Sequence, residues 1–89
     1  MPFVVLFEPF AERLFLALDY SVRKRIEKKI LQLSRDDLSS RHLRHGFPVF
    51  VAEVGQYRVV YRLCPDVGQK RILFVGDHKS YESWYRETE

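Results

Sequence analysis

A two-residue turn between two strand-like segments is the feature that most constrains how this chain can fold. Gly55–Gln56 separates an apolar segment over Val49–Val54 from a second one over Tyr57–Leu63. Glycine in the first position of a two-residue loop favours a type II′ turn, which joins neighbouring antiparallel strands. Pro65–Gln69 predicts a second turn, and Lys70–Gly76 predicts a further strand. The pattern therefore predicts a meander of consecutive antiparallel strands.

The segment before the meander predicts one strand and then two helices. Phe3–Phe7 is apolar and contains β-branched residues, so we expect a strand that is buried on both faces. Pro9 suits the first turn of a helix, which we expect to end near Leu18. Asp19 and Ser21 are both suitable N-caps for a second helix. The apolar residues at helical spacing are Phe10, Leu14, Ala17 and Leu18 in the first helix, and Val22, Ile26, Ile30 and Leu33 in the second.

The complete order is β-α-α-β-β-β, which predicts an α+β domain with a helix hairpin on one face of a small, mainly antiparallel sheet. The chain of 89 residues has the length of a single domain, residues 1–89. Ser34–Pro48 is predicted as a loop, and Asp77–Tyr85 as a turn and a short helix. Arg58 and Arg62 alternate with the apolar residues of their strand. We therefore expect both arginines on the sheet face that the helices leave uncovered.

The distribution of charge favours an anionic partner, either nucleic acid or an acidic protein. Residues 23–44 contain eight Lys and Arg against three Asp and Glu, which gives +5 for this stretch and +3 for the whole chain. The planar guanidinium of arginine suits phosphate, and arginines outnumber lysines ten to five. The single cysteine, Cys64, excludes an internal disulfide, and no segment predicts a signal peptide or a membrane span. We therefore expect a cytoplasmic protein.

Phe74–Tyr81 predicts a strand that ends by bringing a histidine, a lysine and a tyrosine within four residues. Histidine titrates near neutral pH, so His78 is a candidate for proton transfer. Lys79 is a candidate for phosphate binding, and Tyr81 for proton transfer or for stacking on an exposed base. If this strand lies beside the strand of Arg58, these groups converge with a cation that can hold phosphate. Because no metal-ligand set or cofactor motif is evident, the combination suggests cleavage of RNA without a metal or cofactor.

Each candidate also has a structural interpretation. Arg58 either pairs with a fixed acid such as Glu53 or binds a phosphate, and we favour phosphate. His78 is otherwise a surface histidine at the end of a strand, and Tyr81 is otherwise a packing aromatic beside Trp84. Five further residues are expected to contact the phosphates of RNA, namely Arg62, Arg41, His42, Arg44 and His45.

Two short motifs, in this order and with these elements, resemble the RelE/ParE superfamily of bacterial and archaeal type II toxins. The first is a Gly-x-Tyr-Arg-x-x-Tyr strand over residues 55–61, and the second is similar to the Gly-x-His-x-x-Tyr ending of the HigB-like branch, here residues 76–81. The resemblance implies a RelE-like fold and an endoribonuclease that cuts mRNA, usually in the ribosomal A site. It also implies a cognate antitoxin as the silencing partner in a heteromeric complex.

The resemblance assigns roles to the same side chains. It places Arg58 at the scissile phosphate, His78 at the carboxy-terminal basic position and Tyr81 at the nearby aromatic position. Our own interpretation adds Lys79 as an assisting residue. RelE proteins carry lysines on the strand that here runs over Val49–Val54, where this chain has valines. The resemblance then implies that other cations take this role, namely Arg62, Lys79 or the loop of His42 and His45.

Two other functions remain open. ParE-like members share the fold, inhibit gyrase and cut no RNA, and a catalytically inactive homologue would only bind its partner. A shared fold cannot separate these functions. The histidine and tyrosine at positions 78 and 81 favour the endoribonuclease, because a protein that only binds gyrase does not need them.

Overall fold

One mixed sheet organises the part of the chain that the structure describes. The computed structural model describes residues 3–35, 41–42 and 48–88, with only the backbone at positions 41, 42 and 88. The elements are β1 (Val4–Phe7), α1 (Pro9–Leu16), α2 (Tyr20–Ser34), β2 (Arg41–His42), β3 (Val49–Val54), β4 (Tyr57–Cys64), a 3-10 helix (Pro65–Val67), β5 (Gln69–Asp77) and α3 (His78–Thr88).

The sheet has the order β1-β5-β4-β3-β2, with β1 parallel to β5 and the other neighbours antiparallel. This arrangement confirms the predicted α+β class and the meander of β3, β4 and β5. Val54 pairs with Tyr57, so the loop between these strands is the expected two-residue turn. Gly55 adopts a φ of +59°, which favours glycine there. The short β2 lies within the segment predicted as a loop and pairs with β3.

The helices α1 and α2 cover one face of the sheet. The stripe of α2 is confirmed, since Ile26 and Leu33 are fully buried and the other two residues of the stripe, Val22 and Ile30, pack at the edge of the same core. The stripe of α1 is partly wrong, because Ala11 and Phe15 are its buried residues whereas Phe10 is 46% exposed. The helix also ends at Leu16, two residues earlier than predicted.

The prediction that the first strand is buried on both faces is wrong. Val4 is 58% exposed and Leu6 is 39% exposed, whereas the alternate residues Val5 and Phe7 pack against the core. The physical reason is that β1 forms an edge of the sheet and the helix pair covers only one of its faces.

The second face of the sheet carries its own apolar cluster under α3. Val51, Val60 and Phe74 are buried there, and Trp84 of α3 stacks on Phe74 with ring centroids 5.0 Å apart. This corrects the expectation that the second face is left uncovered.

A β-bulge in β5 makes the two-sided packing possible. Tyr61 pairs with Ile72 whereas Val60 pairs with Phe74, so Leu73 is an extra residue in β5. In a regular strand Ile72 and Phe74 would share a face because they are two residues apart. The bulge instead directs Ile72 to the core under the helix pair and Phe74 to the cluster under α3.

A buried lysine links β5 to the end of α2. Lys70 is 3% exposed, and its Nζ donates a hydrogen bond to the backbone carbonyl of Leu33 at 2.8 Å. The same Nζ lies 4.7 Å from the centre of the Phe3 ring. The lysine therefore satisfies a carbonyl in the last turn of α2, where intrahelical partners run out.

The carboxy-terminal helix is longer than predicted. The strand continues to Asp77, α3 begins directly at His78 without an intervening turn, and the helix extends to Thr88 rather than to Tyr85. Within the described ranges, no helix is long and apolar enough to cross a membrane.

Candidate active site

The junction of β4, β5 and α3 brings the main candidates together. Arg58 on β4 pairs with Gly76 on β5, only two residues before His78. The backbone amide of His78 donates a hydrogen bond to the carbonyl of Gln56 at 2.9 Å. The turn between β3 and β4 therefore lies against the first turn of α3, and the predicted neighbourhood of the arginine strand and the histidine segment is confirmed.

Gly76 is favoured at this junction because a side chain would meet the ring of Phe74. A Cβ at this position would lie 2.7 Å from Cζ of Phe74 and 3.4 Å from Cβ of Ser80. The ring of Phe74 and the first turn of α3 thus close over the strand backbone. The glycine of the carboxy-terminal motif has a steric function, which is to let α3 begin directly beside Arg58.

Asp77 fixes the start of α3. Its Oδ1 accepts a hydrogen bond from the backbone amide of Ser80 at 2.8 Å, as an N-cap does. This bond, together with a side-chain hydrogen bond from Ser80 and the positive charges of Lys79 and His78, holds the pKa of Asp77 below its usual range. The cap leaves the side chains of His78 and Lys79 exposed on the first turn of the helix.

Arg58 is held on the β3–β4 hairpin by several contacts. Its Nη1 donates to the carbonyls of Gly55 and Tyr57 at 3.1 and 3.0 Å, and its Nη2 lies 3.8 Å from Oε1 of Glu53. The side chain is 16% exposed, whereas that of Glu53 is about half exposed. The acid partner that the sequence offered as an alternative is therefore present. Its distance exceeds that of a charge-assisted hydrogen bond, so the pair is loose.

His78 contacts a residue that the sequence analysis did not select. Its Nε2 lies 2.8 Å from Oε1 of Glu82, one helical turn further along α3. The second carboxylate oxygen of Glu82 lies 3.8 Å from Nη2 of Arg86. The spacing of four residues was visible in the sequence. It was missed because the tail was predicted as a turn and a short helix.

Tyr81 both packs and lines a groove. Its ring lies 6.3 Å from that of Phe74 and 6.4 Å from that of Trp84, so the packing interpretation describes one side of this tyrosine. The other side contributes to an open groove of about 380 Å³ along α3. The groove is lined by Tyr81, Glu82, Tyr85 and Arg86.

Arg62 shares the sheet face of Arg58 but lies apart from it. The two arginines are four residues apart on β4, about 13 Å along a strand, and the buried Val60 lies between them. Arg62 is exposed and pairs in register with Val49 and with Arg71. Within the described part of the chain it forms no ion pair, whereas the neighbouring Arg71 bonds Glu8 at 3.1 Å.

The other predicted contacts with RNA are only partly described. Arg41 pairs in register with Val51, and His42 pairs with Phe50. Because adjacent residues of a strand point to opposite faces, only position 41 belongs to the face of Arg58. Arg44 and His45 lie outside the described residues. Among residues 3–35, 41–42 and 48–88, no group of three or more His, Cys, Asp or Glu is arranged to hold a metal ion.

Solved structures of RelE toxins resemble this chain throughout its fold. A chain of the toxin–antitoxin complex RelBE2 of Mycobacterium tuberculosis is 27% identical, with 88% of this chain and 100% of that chain covered and a TM-score of 0.78. An arginine double mutant of E. coli toxin RelE in the free state is 20% identical, with 94% of this chain and 92% of that chain covered and a TM-score of 0.80.

A third similar structure is the archaeal RelE–RelB complex from Pyrococcus horikoshii, at 15% identity, with 86% and 96% covered and a TM-score of 0.71. No protein-family model matches the chain, and no curated protein matches it. The structural likeness confirms the RelE-like fold and supports the resemblance to the RelE/ParE superfamily that the sequence motifs indicated.

Proposed function

We propose that this chain, which has the RelE fold, is the toxin of a type II toxin–antitoxin system and cleaves mRNA on the ribosome. The observation that carries the proposal is the junction where Arg58 and the first turn of α3 meet. At this junction Arg58 pairs in register with Gly76, two residues before His78, and Lys79 follows on the first turn of α3. These groups are the ones that RNA cleavage requires when the 2′-hydroxyl is the nucleophile.

The proposed reaction is a transfer of the phosphate from O5′ to O2′. A base removes the proton of the 2′-hydroxyl, O2′ attacks phosphorus, and the bond between phosphorus and O5′ breaks. An acid protonates the leaving O5′, which leaves a 2′,3′-cyclic phosphate. We assign one proton transfer to His78, because its imidazole is exposed and histidine is the side chain that most often serves as a general acid or base. Tyr81 is the second candidate for proton transfer and also a surface for base stacking.

Cations are assigned to the charge on the phosphate. Arg58 binds the scissile phosphate, which requires its guanidinium to exchange the loose contact with Glu53 for a phosphate oxygen. Lys79 assists from the first turn of α3. The resemblance implies lysines at the positions of Val49 and Val51, which both lie on the sheet face of Arg58. The more distant phosphates are assigned to the other candidates, which are Arg62, Arg41, His42, Arg44 and His45.

The proposed partner is a cognate antitoxin. The similar structure from M. tuberculosis is a toxin–antitoxin complex, and the one from P. horikoshii is a RelE–RelB complex. The chain has an excess of positive charge between residues 23 and 44 and further arginines on the α3 side of the sheet. An acidic or amphipathic segment would complement these charges. We propose that it neutralises the toxin by covering Arg58 or by displacing α3.

Expression without the antitoxin tests the proposal against the gyrase-inhibiting alternative. Protein and DNA synthesis are followed by pulse labelling, and mRNA ends are mapped by primer extension. We expect protein synthesis to stop first, with new mRNA ends at positions that occupy the ribosomal A site. Arrest of DNA synthesis with intact mRNA would support a gyrase inhibitor instead. Absence of any growth arrest would support an inactive homologue.

A further inference from the structure

An acid on α3 touches the group to which we assign proton transfer. Nε2 of His78 and Oε1 of Glu82 are 2.8 Å apart, a distance at which the ring nitrogen donates to a carboxylate oxygen. Both side chains are about half exposed, and they lie on one face of the helix. A histidine with one nitrogen held in this way presents only the other nitrogen to a reactant.

We infer that Glu82 is a positioning residue that acts through His78, an inference that rests on the proposed ribonuclease function. Its carboxylate accepts the proton of Nε2 and so fixes the rotation of the ring. Nδ1 of His78 is then the nitrogen that exchanges a proton with RNA. A carboxylate behind an imidazole also stabilises the positive charge that the ring acquires when it takes a proton.

The surroundings of His78 make Glu82 the acid suited to this role. Asp77 is adjacent in sequence, but its Oδ1 is engaged by the backbone amide of Ser80. Glu53, on the neighbouring hairpin, faces Arg58. The other charged group on the first turn of α3 is Lys79, which cannot accept a hydrogen bond.

Arg86 supports the assignment from the opposite side. It lies 3.8 Å from the second oxygen of Glu82, one helical turn beyond it. The carboxylate thus lies between a cation and the imidazole, and the shorter contact with His78 is the one that orients it. An ordinary pair at this spacing stabilises a helix only slightly. If the pair of His78 and Glu82 served only to stabilise the helix, loss of Glu82 would leave the rate of the chemical step unchanged.

A double-mutant cycle separates the two roles. The variants are Glu82→Gln, His78→Gln and the double variant, each measured as single-turnover cleavage of mRNA on saturating ribosomes. We expect Glu82→Gln to slow cleavage roughly 10- to 100-fold, by analogy with the loss of carboxylates that orient metal-binding histidines, with ribosome affinity unchanged. In the His78→Gln background the same substitution should have no further effect, because residues that act as a unit are non-additive.

The matched control is Glu87→Gln, which removes the same charge from an exposed position on the same helix. Circular dichroism and Trp84 fluorescence verify that α3 keeps its packing in every variant. Equal effects of Glu82→Gln in both backgrounds would overturn the inference. So would an equal loss of activity in Glu87→Gln, since charge alone would then explain the result.

A second measurement tests the geometry independently of cleavage. The ring ¹⁵N chemical shifts of His78 report which nitrogen carries the proton. We expect the Nε2–H form to dominate in the native chain and a more even mixture in Glu82→Ala. Identical shifts in both proteins would overturn the inference. If the shifts differ as expected but the native chain cleaves no mRNA, the contact is established and the proposed function fails separately.

Discussion

Arg58 and Glu53 face each other across β3 and β4 in a loose ion pair, with Nη2 and Oε1 3.8 Å apart. The arginine is held mainly by two backbone carbonyls of the hairpin, which bond its other terminal nitrogen. This arrangement orients the guanidinium without enclosing it between strong acid partners. An arginine positioned in this way can serve as a structural brace and still exchange one contact for a phosphate oxygen.

We expect Arg58→Ala to abolish toxicity and to leave the fold intact. A preorganised cation at transition-state charge is worth roughly 10²–10³ in rate. The fold should survive because the core under the helix pair is built by other residues. The measurement is growth after induction, together with a thermal melt of the purified variant.

The control for this prediction is Arg71→Ala on the neighbouring strand. Arg71 lies on the same sheet face as Arg58 but toward the other end of β5, where it bonds Glu8. We expect this variant to remain toxic. An Arg58→Ala protein that is fully toxic would show that the arginine is dispensable, and one that unfolds would show that it is structural.

We expect His78→Gln to lower the rate of cleavage far more than ribosome binding. Glutamine is polar and similar in size but cannot carry a proton near neutral pH, and loss of a general acid or base costs roughly 10²–10⁴ in rate. Loss of a phosphate contact would instead weaken binding and its salt dependence. Single-turnover rates at saturation and ribosome affinity, measured on one protein, distinguish the two. A variant with weaker affinity and an unchanged saturated rate would make Tyr81 the next candidate.

Gly76→Ala should destabilise the packing of α3 on the sheet. The added methyl would lie 2.7 Å from the Phe74 ring, and overpacking of this kind costs about 1–3 kcal/mol. Urea unfolding followed by Trp84 fluorescence measures the loss. Phe74→Leu in the same protein removes the ring that the methyl meets. The cost of Gly76→Ala should then be smaller in the Phe74→Leu background, and an equal cost in both would contradict the steric explanation.

The local pattern of the sequence was sufficient for the elements that depend on neighbours along the chain. The stripe of α2 and the two-residue turn at Gly55–Gln56 follow from helical spacing and from turn chemistry. The bulge at Leu73 was not predictable in the same way. No local signal marks it, because Ile72 and Phe74 are both apolar. Only the packing of the complete fold places them in different core clusters.

The residues of the candidate site also differ in whether local sequence patterns predict their placement. The proximity of Arg58 to the histidine segment followed from the assumption that their strands are neighbours, which is confirmed. The distance of about 13 Å between Arg58 and Arg62 likewise follows from their spacing on a strand, whereas the packing of α3 against the turn before Arg58 does not follow from alternation. Glu82 was missed because the length of α3 was underestimated. A helix extended to Thr88 shows its spacing to His78 directly.

Lys70→Met should destabilise the whole domain. Methionine fills similar volume but leaves the buried carbonyl of Leu33 without the hydrogen bond that Nζ donates, and a buried unsatisfied group costs about 1–3 kcal/mol. The control is Lys28→Met on the exposed face of α2, where a surface substitution changes stability by less than about 0.5 kcal/mol. Equal unfolding midpoints for the two variants would contradict a stabilising role for the buried lysine.

Acid should loosen α3 before it unfolds the sheet. The hydrogen bond from Ser80 lowers the pKa of Asp77 in the folded chain, so the cap contributes stability that is complete above the unfolded value of about 3.9. This contribution is lost as the pH falls through the lower folded value, because the protonated carboxyl is a poorer acceptor. We expect Trp84 fluorescence to change below about pH 4 in the native chain.

Asp77→Asn caps the helix without titrating, so its α3 should lack this transition, whereas Asp77→Ala should be weakened by about 1 kcal/mol at neutral pH as well. The same acid transition in Asp77→Asn as in the native chain would assign it to another carboxylate, with Glu82 as the first to test.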